Sequence, residues 1–193
     1  MRSETSDLAI VILAGGRAQR FPGKLEASLD GEPLLARVYR HVRDIAPTMI
    51  AGRDTFSDTL DALLDCPIVV DRWPDLGPLG GLLSAARETN AVRIFALAGD
   101  APRVTVDIVN ALTSAWQDGD EAVVPEHDGR LEPLAALYDR EALMREGWEC
   151  LHGEDRSMQA VLARLRVRRV PCDAQAFANI NTSADLALMA TRS

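Results

Sequence analysis

Two adjacent glycines and three cations stand close together near the start of the chain. A continuous apolar run ends at Gly15 and Gly16, and Arg17, Arg20 and Lys24 follow within eight residues. Adjacent glycines let backbone N–H groups approach a phosphate closely, and clustered cations favour a polyanion. The stretch matches neither GxxxxGK[ST] nor GxGxxG. It predicts a phosphate-binding turn, and an ordinary strand-to-loop turn with solvated basic side chains is the alternative.

Two aspartates follow apolar runs further along the chain. Asp71 comes directly after Pro67–Val70, and Asp100 follows the run at residues 92–98 and one glycine. Carboxylates at the ends of buried strands are oxygen ligands of the kind that Mg²⁺ prefers. Phosphoryl and nucleotidyl transfer depends on such a metal more than on a protein nucleophile. An aspartate in this position can also be a turn former or a helix cap.

The elements that must position these residues alternate along the chain. Apolar runs predict strands at 8–13, 48–51, 67–70, 92–98, 121–124, 134–138 and 167–170, and amphipathic spacing predicts helices at 33–45, 55–64, 79–89, 104–116, 140–148, 158–164 and 184–190. This alternation predicts an α/β fold with a doubly wound, mostly parallel sheet. Ligands of such sheets bind beyond the carboxyl ends of the strands, where the glycine turn and both aspartates fall.

Composition narrows the class of protein. The 193 residues, 47% of them hydrophobic, suit one domain over residues 1–193. A net charge of -8 argues against nucleic acid as a partner. Cys66, Cys150 and Cys172 are odd in number and far apart, which indicates neither a disulfide framework nor a metal site. No signal peptide or membrane span is predicted, so we expect a cytoplasmic protein without a membrane partner.

The glycine turn resembles the LAGG-R-x-x-R-(x)n-K loop of the glycosyltransferase-A-like nucleotidyltransferases. The resemblance implies their Rossmann-like fold and a loop that wraps the base and triphosphate. The implied nucleotide contacts are Leu13, Ala14, Gly15, Gly16, Arg17, Arg20 and Lys24. By the same resemblance Asp100 becomes the Mg²⁺ ligand and Asp71 a nucleotide contact. We expect Lys24, Arg17 and Asp100 to be catalytic.

Three further segments are similar to the molybdenum cofactor guanylyltransferases: residues 30–34 (DGEPL), 77–82 (GPLGGL) and 177–182 (FANINT). The resemblance spans most of the chain and implies transfer of GMP from GTP to molybdenum-bearing molybdopterin, with release of pyrophosphate. It implies that the acceptor is contacted by Gly77, Gly80, Gly81, Asn179 and Asn181. Further expected partners are molybdenum-insertion proteins or recipient apoenzymes, in transient contact.

The chain departs from the family pattern at two places. Gly23 precedes Lys24 where the family usually has an aspartate, and the second strand ends without the usual asparagine, reading MIAGR at residues 49–53. Three alternatives stay open: a cytidylyltransferase acting on the same pterin, another small-molecule nucleotidyltransferase, and a non-catalytic homologue that binds nucleotide or cofactor.

Overall fold

Continuous apolar runs form the central strands of one mixed sheet. The computed structural model describes residues 7–15, 23–52, 56–74, 76–177 and 185. The strands are β1 Leu8–Leu13, β2 Ser28–Leu29, β3 Glu32–Pro33, β4 Thr48–Gly52, β5 Ile68–Val70, β6 Arg93–Ala98, β7 Ala122–His127, β8 Arg130–Leu131, β9 Ala135–Asp139 and β10 Val167–Pro171. The main sheet has the order β10-β7-β9-β6-β1-β4-β5, with β8 paired to β7, and β2 and β3 form a separate hairpin.

The sheet is parallel except around β9. Strands β6, β1, β4 and β5 run parallel to one another, as do β7 and β10, whereas β9 is antiparallel to both of its neighbours. Because β9 is antiparallel to both β6 and β7, those two strands are parallel to each other. The carboxyl ends of all six parallel strands therefore lie along one edge of the sheet. We call this edge the carboxyl rim.

Helices cover both faces of the sheet, because side chains of each central strand alternate between them. The helices are α1 Leu34–Val42, α2 Asp58–Asp61, α3 Gly77–Ala86, α4 Val106–Ala115, α5 Arg140–His152 and α6 Met158–Leu162, with 3-10 helices at Lys24–Glu26 and Ala174–Phe177. Val11 and Leu13 pack with α3, α5 and α6 on one face. Ile10 and Ile12 pack with α1, α2 and α4 on the other face. Burial of two apolar layers on one sheet supplies the main stabilisation.

The predicted doubly wound, mostly parallel sheet is confirmed, with corrections at element ends. Helix α2 begins only at Asp58, because the side chain of Ser57 accepts a hydrogen bond from the Leu60 N–H and caps it there. Helix α5 continues to His152 and ends at Gly153. The hairpins formed by β2 with β3 and by β7 with β8 were not predicted. The predicted closing helix at 184–190 lies outside the described residues, except for Asp185.

Within the described part of the chain, no helix is long and apolar enough to cross a membrane. All three cysteines are free thiols. Burial raises the pKa of Cys66 to about 11 and also raises the pKa of Cys150 and Cys172. The raised pKa values keep these thiols protonated at neutral pH.

Candidate active site at the carboxyl rim

Backbone hydrogen bonds join the carboxyl ends of four neighbouring strands. The Ala14 N–H donates to the carbonyl of Ala51 at 2.8 Å, and the Gly99 N–H donates to the carbonyl of Leu13 at 3.0 Å. The Asp71 N–H donates to the carbonyl of Gly52 at 3.1 Å. The ends of β1, β4, β5 and β6 therefore form one continuous backbone frame, and side chains that leave it are fixed relative to one another.

Lys24 is brought to this frame by a tight turn. Gly23 has φ 72° and ψ 10°, which is the left-handed region that favours glycine, and the 3-10 helix begins at Lys24 immediately afterwards. The Leu34 N–H donates to the carbonyl of Ala27 at 3.0 Å, which ties the turn to the start of α1. Glycine adopts this φ without steric cost, which suits it to the turn that delivers Lys24.

Asp100 meets Lys24 at the end of β6. The Lys24 Nζ donates to Asp100 Oδ2 in an ion pair, and the two side chains are 12% and 24% exposed. The backbone just before this aspartate is closely packed, since a Cβ on Gly99 would lie 3.0 Å from the Leu13 carbonyl oxygen and 3.2 Å from Leu35 Cδ1. Two predicted catalytic residues from distant parts of the sequence are therefore in contact in a half-buried position.

Asp71 lies on the same rim but in a different environment. Its Oδ1 accepts a hydrogen bond from the Trp73 N–H at 2.8 Å and lies 3.4 Å from the hydroxyl of Ser84. A Cβ placed on Gly81 would lie 3.8 Å from Asp71 Oδ2 and 3.4 Å from Leu13 Cδ2. The Asp71 carboxylate, the start of α3 and the end of β1 therefore border one small region.

The predicted acceptor glycines divide between the surface and the interior. Gly77 is exposed at the first residue of α3, whereas Gly80 and Gly81 are buried in the next turn. A Cβ on Gly80 would lie 2.7 Å from the backbone oxygen of Trp73 and 3.1 Å from Asp71 Oδ1. Close packing of α3 under the loop after β5 therefore requires glycine at position 80. Because Gly77 is exposed, a ligand can reach it from the solvent.

Gly52 ends β4 against the turn after β1. A Cβ on Gly52 would lie 2.8 Å from the carbonyl carbon of Ala14 and 2.9 Å from the nitrogen of Gly15. Any side chain at this position would displace the backbone that follows β1. The backbone of Ala14 and Gly15 occupies the space next to the strand end.

Five predicted site residues lie outside the described residues: Gly16, Arg17, Arg20, Asn179 and Asn181. The structure brings the other predicted residues to one edge. Leu13 ends β1 and Ala14 and Gly15 follow it, Lys24 begins the 3-10 helix, Asp71 and Asp100 follow β5 and β6, and the three glycines lie in the first turns of α3. At this edge, the side chains of Lys24 and Asp100 are in direct contact as an ion pair.

The sequence pattern did not single out Ser84 or His127. Ser84 is completely buried inside the otherwise apolar helix α3, and a lone hydroxyl among apolar residues was its only signal. His127 ends β7 at the carboxyl rim, with its Nε2 2.8 Å from Glu132 Oε1 and its ring stacked on Phe177 at 5.5 Å. Phe177 is the first residue of the segment 177–182, which contains the predicted acceptor contacts Asn179 and Asn181.

The side-chain oxygens at the carboxyl rim suit a metal ion that is held mainly by the substrate. Among the described residues, no group of three or more His, Cys, Asp or Glu side chains is placed to hold a metal ion. Mg²⁺ is commonly bound through one or two carboxylates together with substrate phosphates and water. The partly buried carboxylate of Asp100 fits that mode of binding and does not fit a closed structural metal site.

The sequence of the chain is similar to those of known nucleotidyltransferases. Residues 10–170 match the sequence model of the MobA-like NTP transferase domain. The chain is 31% identical to a molybdenum cofactor guanylyltransferase of Pseudomonas putida, covering 85% of this chain and 86% of the relative. It is 34% identical to a protein of the same name from Burkholderia cenocepacia, covering 96% of each.

Solved structures are similar over nearly the full length. Molybdopterin-guanine dinucleotide biosynthesis protein A from Archaeoglobus fulgidus superposes with a TM-score of 0.80 at 26% identity, covering 95% of this chain and 97% of that one. A nucleotidyl transferase from Methanothermobacter has a TM-score of 0.78 at 17% identity, covering 95% and 96%. The second likeness concerns the fold alone.

Proposed function

Because this chain belongs to the MobA-like NTP transferase family, we propose that it is a guanylyltransferase of molybdenum cofactor biosynthesis. It transfers GMP from GTP to molybdenum-bearing molybdopterin and releases pyrophosphate, so that the product is molybdopterin guanine dinucleotide. The proposal rests on the names of relatives that are at least 30% identical over most of the chain. Its substrates are GTP and the pterin.

The structural observation that supports catalysis is the contact between Lys24 and Asp100 at the carboxyl rim. A cation and a carboxylate side by side suit a triphosphate, because the ammonium attracts phosphate oxygens while the carboxylate can share a divalent cation with them. A module that only binds nucleotide has less need of the carboxylate. The pair therefore supports catalysis over passive binding.

The reaction requires no nucleophile from the protein. An oxygen of the terminal phosphate of the pterin attacks the α-phosphorus of GTP and forms the new P–O bond. The bond between the α-phosphorus and the oxygen that bridges to the β-phosphorus breaks, and pyrophosphate leaves with that electron pair. Lys24 holds the triphosphate by charge, Asp71 contacts the nucleotide, and the rigid rim keeps both in place. Positioning and charge neutralisation supply the rate.

We propose Asp100 as the protein ligand of a Mg²⁺ ion. When bound, the ion would neutralise the negative charge that grows on phosphate oxygens during transfer. The proposed phosphate contacts Arg17 and Arg20, and the proposed acceptor contacts Asn179 and Asn181, complete the assignment from the family resemblance. In this assignment Leu13, Ala14 and Gly15 line the nucleotide.

The test is pyrophosphate release with molybdenum-loaded molybdopterin and Mg²⁺, comparing GTP with CTP for the wild type and Asp100→Ala. We expect GTP-selective release that falls at least about 10²-fold in the variant. A preference for CTP would replace guanylyl by cytidylyl transfer and keep the mechanism. No release with either nucleotide, from an acceptor that a control enzyme can use, would leave a different acceptor or a non-catalytic binding protein.

A further inference from the structure

Ser84 joins the loop that carries Asp71 to the first turns of α3. Its Oγ accepts a hydrogen bond from the Arg72 N–H at 2.9 Å. The hydroxyl hydrogen has two acceptors within reach, the carbonyl of Gly80 at 2.8 Å and Asp71 Oδ1 at 3.4 Å. Ser84 and Glu121 are the buried polar or charged side chains among the described residues, and Ser84 is 0% exposed.

A buried hydroxyl costs free energy unless its hydrogen-bonding groups are satisfied. Ser84 satisfies that requirement entirely with groups of the site, because its partners are the residue after Asp71, the Asp71 carboxylate and a glycine of the predicted acceptor turn. A hydroxyl that merely returned a bond to its own helix would contact Gly80 alone. The additional bond from Arg72 fixes the backbone directly beyond Asp71.

The bonds around Asp71 hold it from three sides. The Asp71 N–H is bound to Gly52, the Arg72 N–H is bound to Ser84, and Asp71 Oδ1 accepts from Trp73. With Oδ1 engaged in this way, Oδ2 is the oxygen that faces the region between Gly81 and Leu13. The orientation of the carboxylate toward a ligand there depends on the loop that Ser84 anchors.

We infer that Ser84 is a positioning residue for the nucleotide, acting through Asp71. The inference rests on the proposed function in one respect, namely that Asp71 contacts the nucleotide. Ser84 itself is buried and touches no substrate. Its loss would allow the loop after β5 to shift and the carboxylate to rotate. Nucleotide affinity would fall, while the reaction centre at Lys24 and Asp100 would keep its geometry.

The test is a double-mutant cycle with Ser84→Ala and Asp71→Ala, measured as equilibrium GTP binding and as kcat and KM for pyrophosphate release. We expect Ser84→Ala to raise the Kd and KM for GTP about five- to thirtyfold, which is the loss of one or two hydrogen bonds in the site. At saturating GTP, kcat should change less than about threefold. In the Asp71→Ala background, removing the hydroxyl should change the Kd less than about twofold.

Two further variants separate positioning from folding. Thr113→Val removes a hydroxyl that makes the same kind of bond, to the Val109 carbonyl at 2.8 Å, on α4 away from the rim. It should leave GTP affinity unchanged. Ser84→Cys keeps nearly the same volume with weaker hydrogen bonding, so it provides the measurement if the alanine variant does not fold.

Each outcome decides the inference. Unchanged GTP affinity in a folded Ser84 variant would overturn it and leave the proposed function standing, as would equal losses in both backgrounds of the cycle. If the wild type binds CTP in place of GTP, the guanylyl assignment fails and the same cycle with CTP decides the role of Ser84. If the wild type binds neither nucleotide, both proposals fall together.

Discussion

The Nζ of Lys24 and the carboxylate of Asp100, 76 positions apart in the chain, form an ion pair at the carboxyl rim of the sheet. A triphosphate that binds Lys24 competes with Asp100 for the same ammonium. The carboxylate therefore opposes nucleotide binding by charge and, in our proposal, favours it only together with a divalent cation. Nucleotide affinity and turnover should therefore respond differently when the Asp100 side chain is changed.

Asp100→Asn should separate nucleotide binding from turnover. The amide keeps the volume of the carboxylate and removes its charge, so GTP affinity in EDTA should be equal to the wild type or tighter by about threefold or more. With Mg²⁺ and acceptor, kcat should fall at least about 10²-fold. Calorimetric binding and pyrophosphate release measure the two effects.

The matched control for that variant is Asp44→Asn, which removes an aspartate whose side chain is 88% exposed after α1. It lowers the net negative charge by the same amount and should alter neither quantity. A kcat for Asp100→Asn within a few-fold of the wild type would contradict the assignment of Asp100 as the metal ligand.

Gly52→Ala should disturb the turn after β1. The new Cβ would lie within 3.0 Å of three backbone atoms of Ala14 and Gly15, none of which can yield without moving the strand end. We expect the free energy of unfolding to fall by about 1–3 kcal/mol and GTP affinity to fall about tenfold. Urea unfolding and equilibrium binding measure these changes.

Gly15→Ala is the control for stability at the same contact. Among the described residues its Cβ would meet the Cα of Gly52, at an ordinary 3.5 Å, so the free energy of unfolding should change by less than about 0.5 kcal/mol. If Gly52→Ala were as stable as the wild type and bound GTP normally, the close approach of β4 to the turn would matter neither for stability nor for GTP binding.

Most of the sheet could be predicted because its central strands are covered on both faces. Continuous apolar runs such as Leu8–Leu13 are typical of such strands. The direction of β9 was not predicted. Only residues 128–134 separate it from β7, which is too short for the crossover that a parallel neighbour needs. The connection length therefore contained this information, although the apolar pattern did not.

The site was predictable by residue type and position along the strands. Asp71 and Asp100 had to reach the carboxyl rim once the strands before them were assigned. The contact between Lys24 and Asp100 depends on the turn at Gly23, whose backbone angles leave no trace in residue spacing. The role of Ser84 depends on helix packing under the loop after β5, and periodicity indicates only that its helix is buried.

Gly80→Ala should push α3 away from the loop that carries Asp71. The Cβ would lie 2.7 Å from the backbone oxygen of Trp73, a position that no side-chain rotation relieves. We expect a loss of about 1–3 kcal/mol in the free energy of unfolding, even though alanine favours the helix. A higher KM for GTP should accompany it, because the shift reaches Asp71.

Gly147→Ala is the matched control for this helix glycine. Its Cβ would meet the methyl ends of Leu83 and Leu79, at 2.9 and 3.3 Å, and such side chains can rotate away. Stability should therefore change by no more than about 1 kcal/mol, and KM should not change. Equal losses in both variants would mean that general crowding, and not the Trp73 carbonyl, decides the outcome.

Glu121 should make stability depend on acidic pH. Burial alone would raise its pKa, but hydrogen bonds from the Arg166 N–H and the Arg145 side chain lower it below the ordinary 4.5. A lowered folded-state pKa contributes stability that is complete above about 4.5 and is lost as pH falls through the folded-state pKa. Urea unfolding should therefore find Glu121→Gln less stable than wild type by about 1 kcal/mol at pH 7, with a smaller difference near pH 3.5. A constant difference would contradict this role.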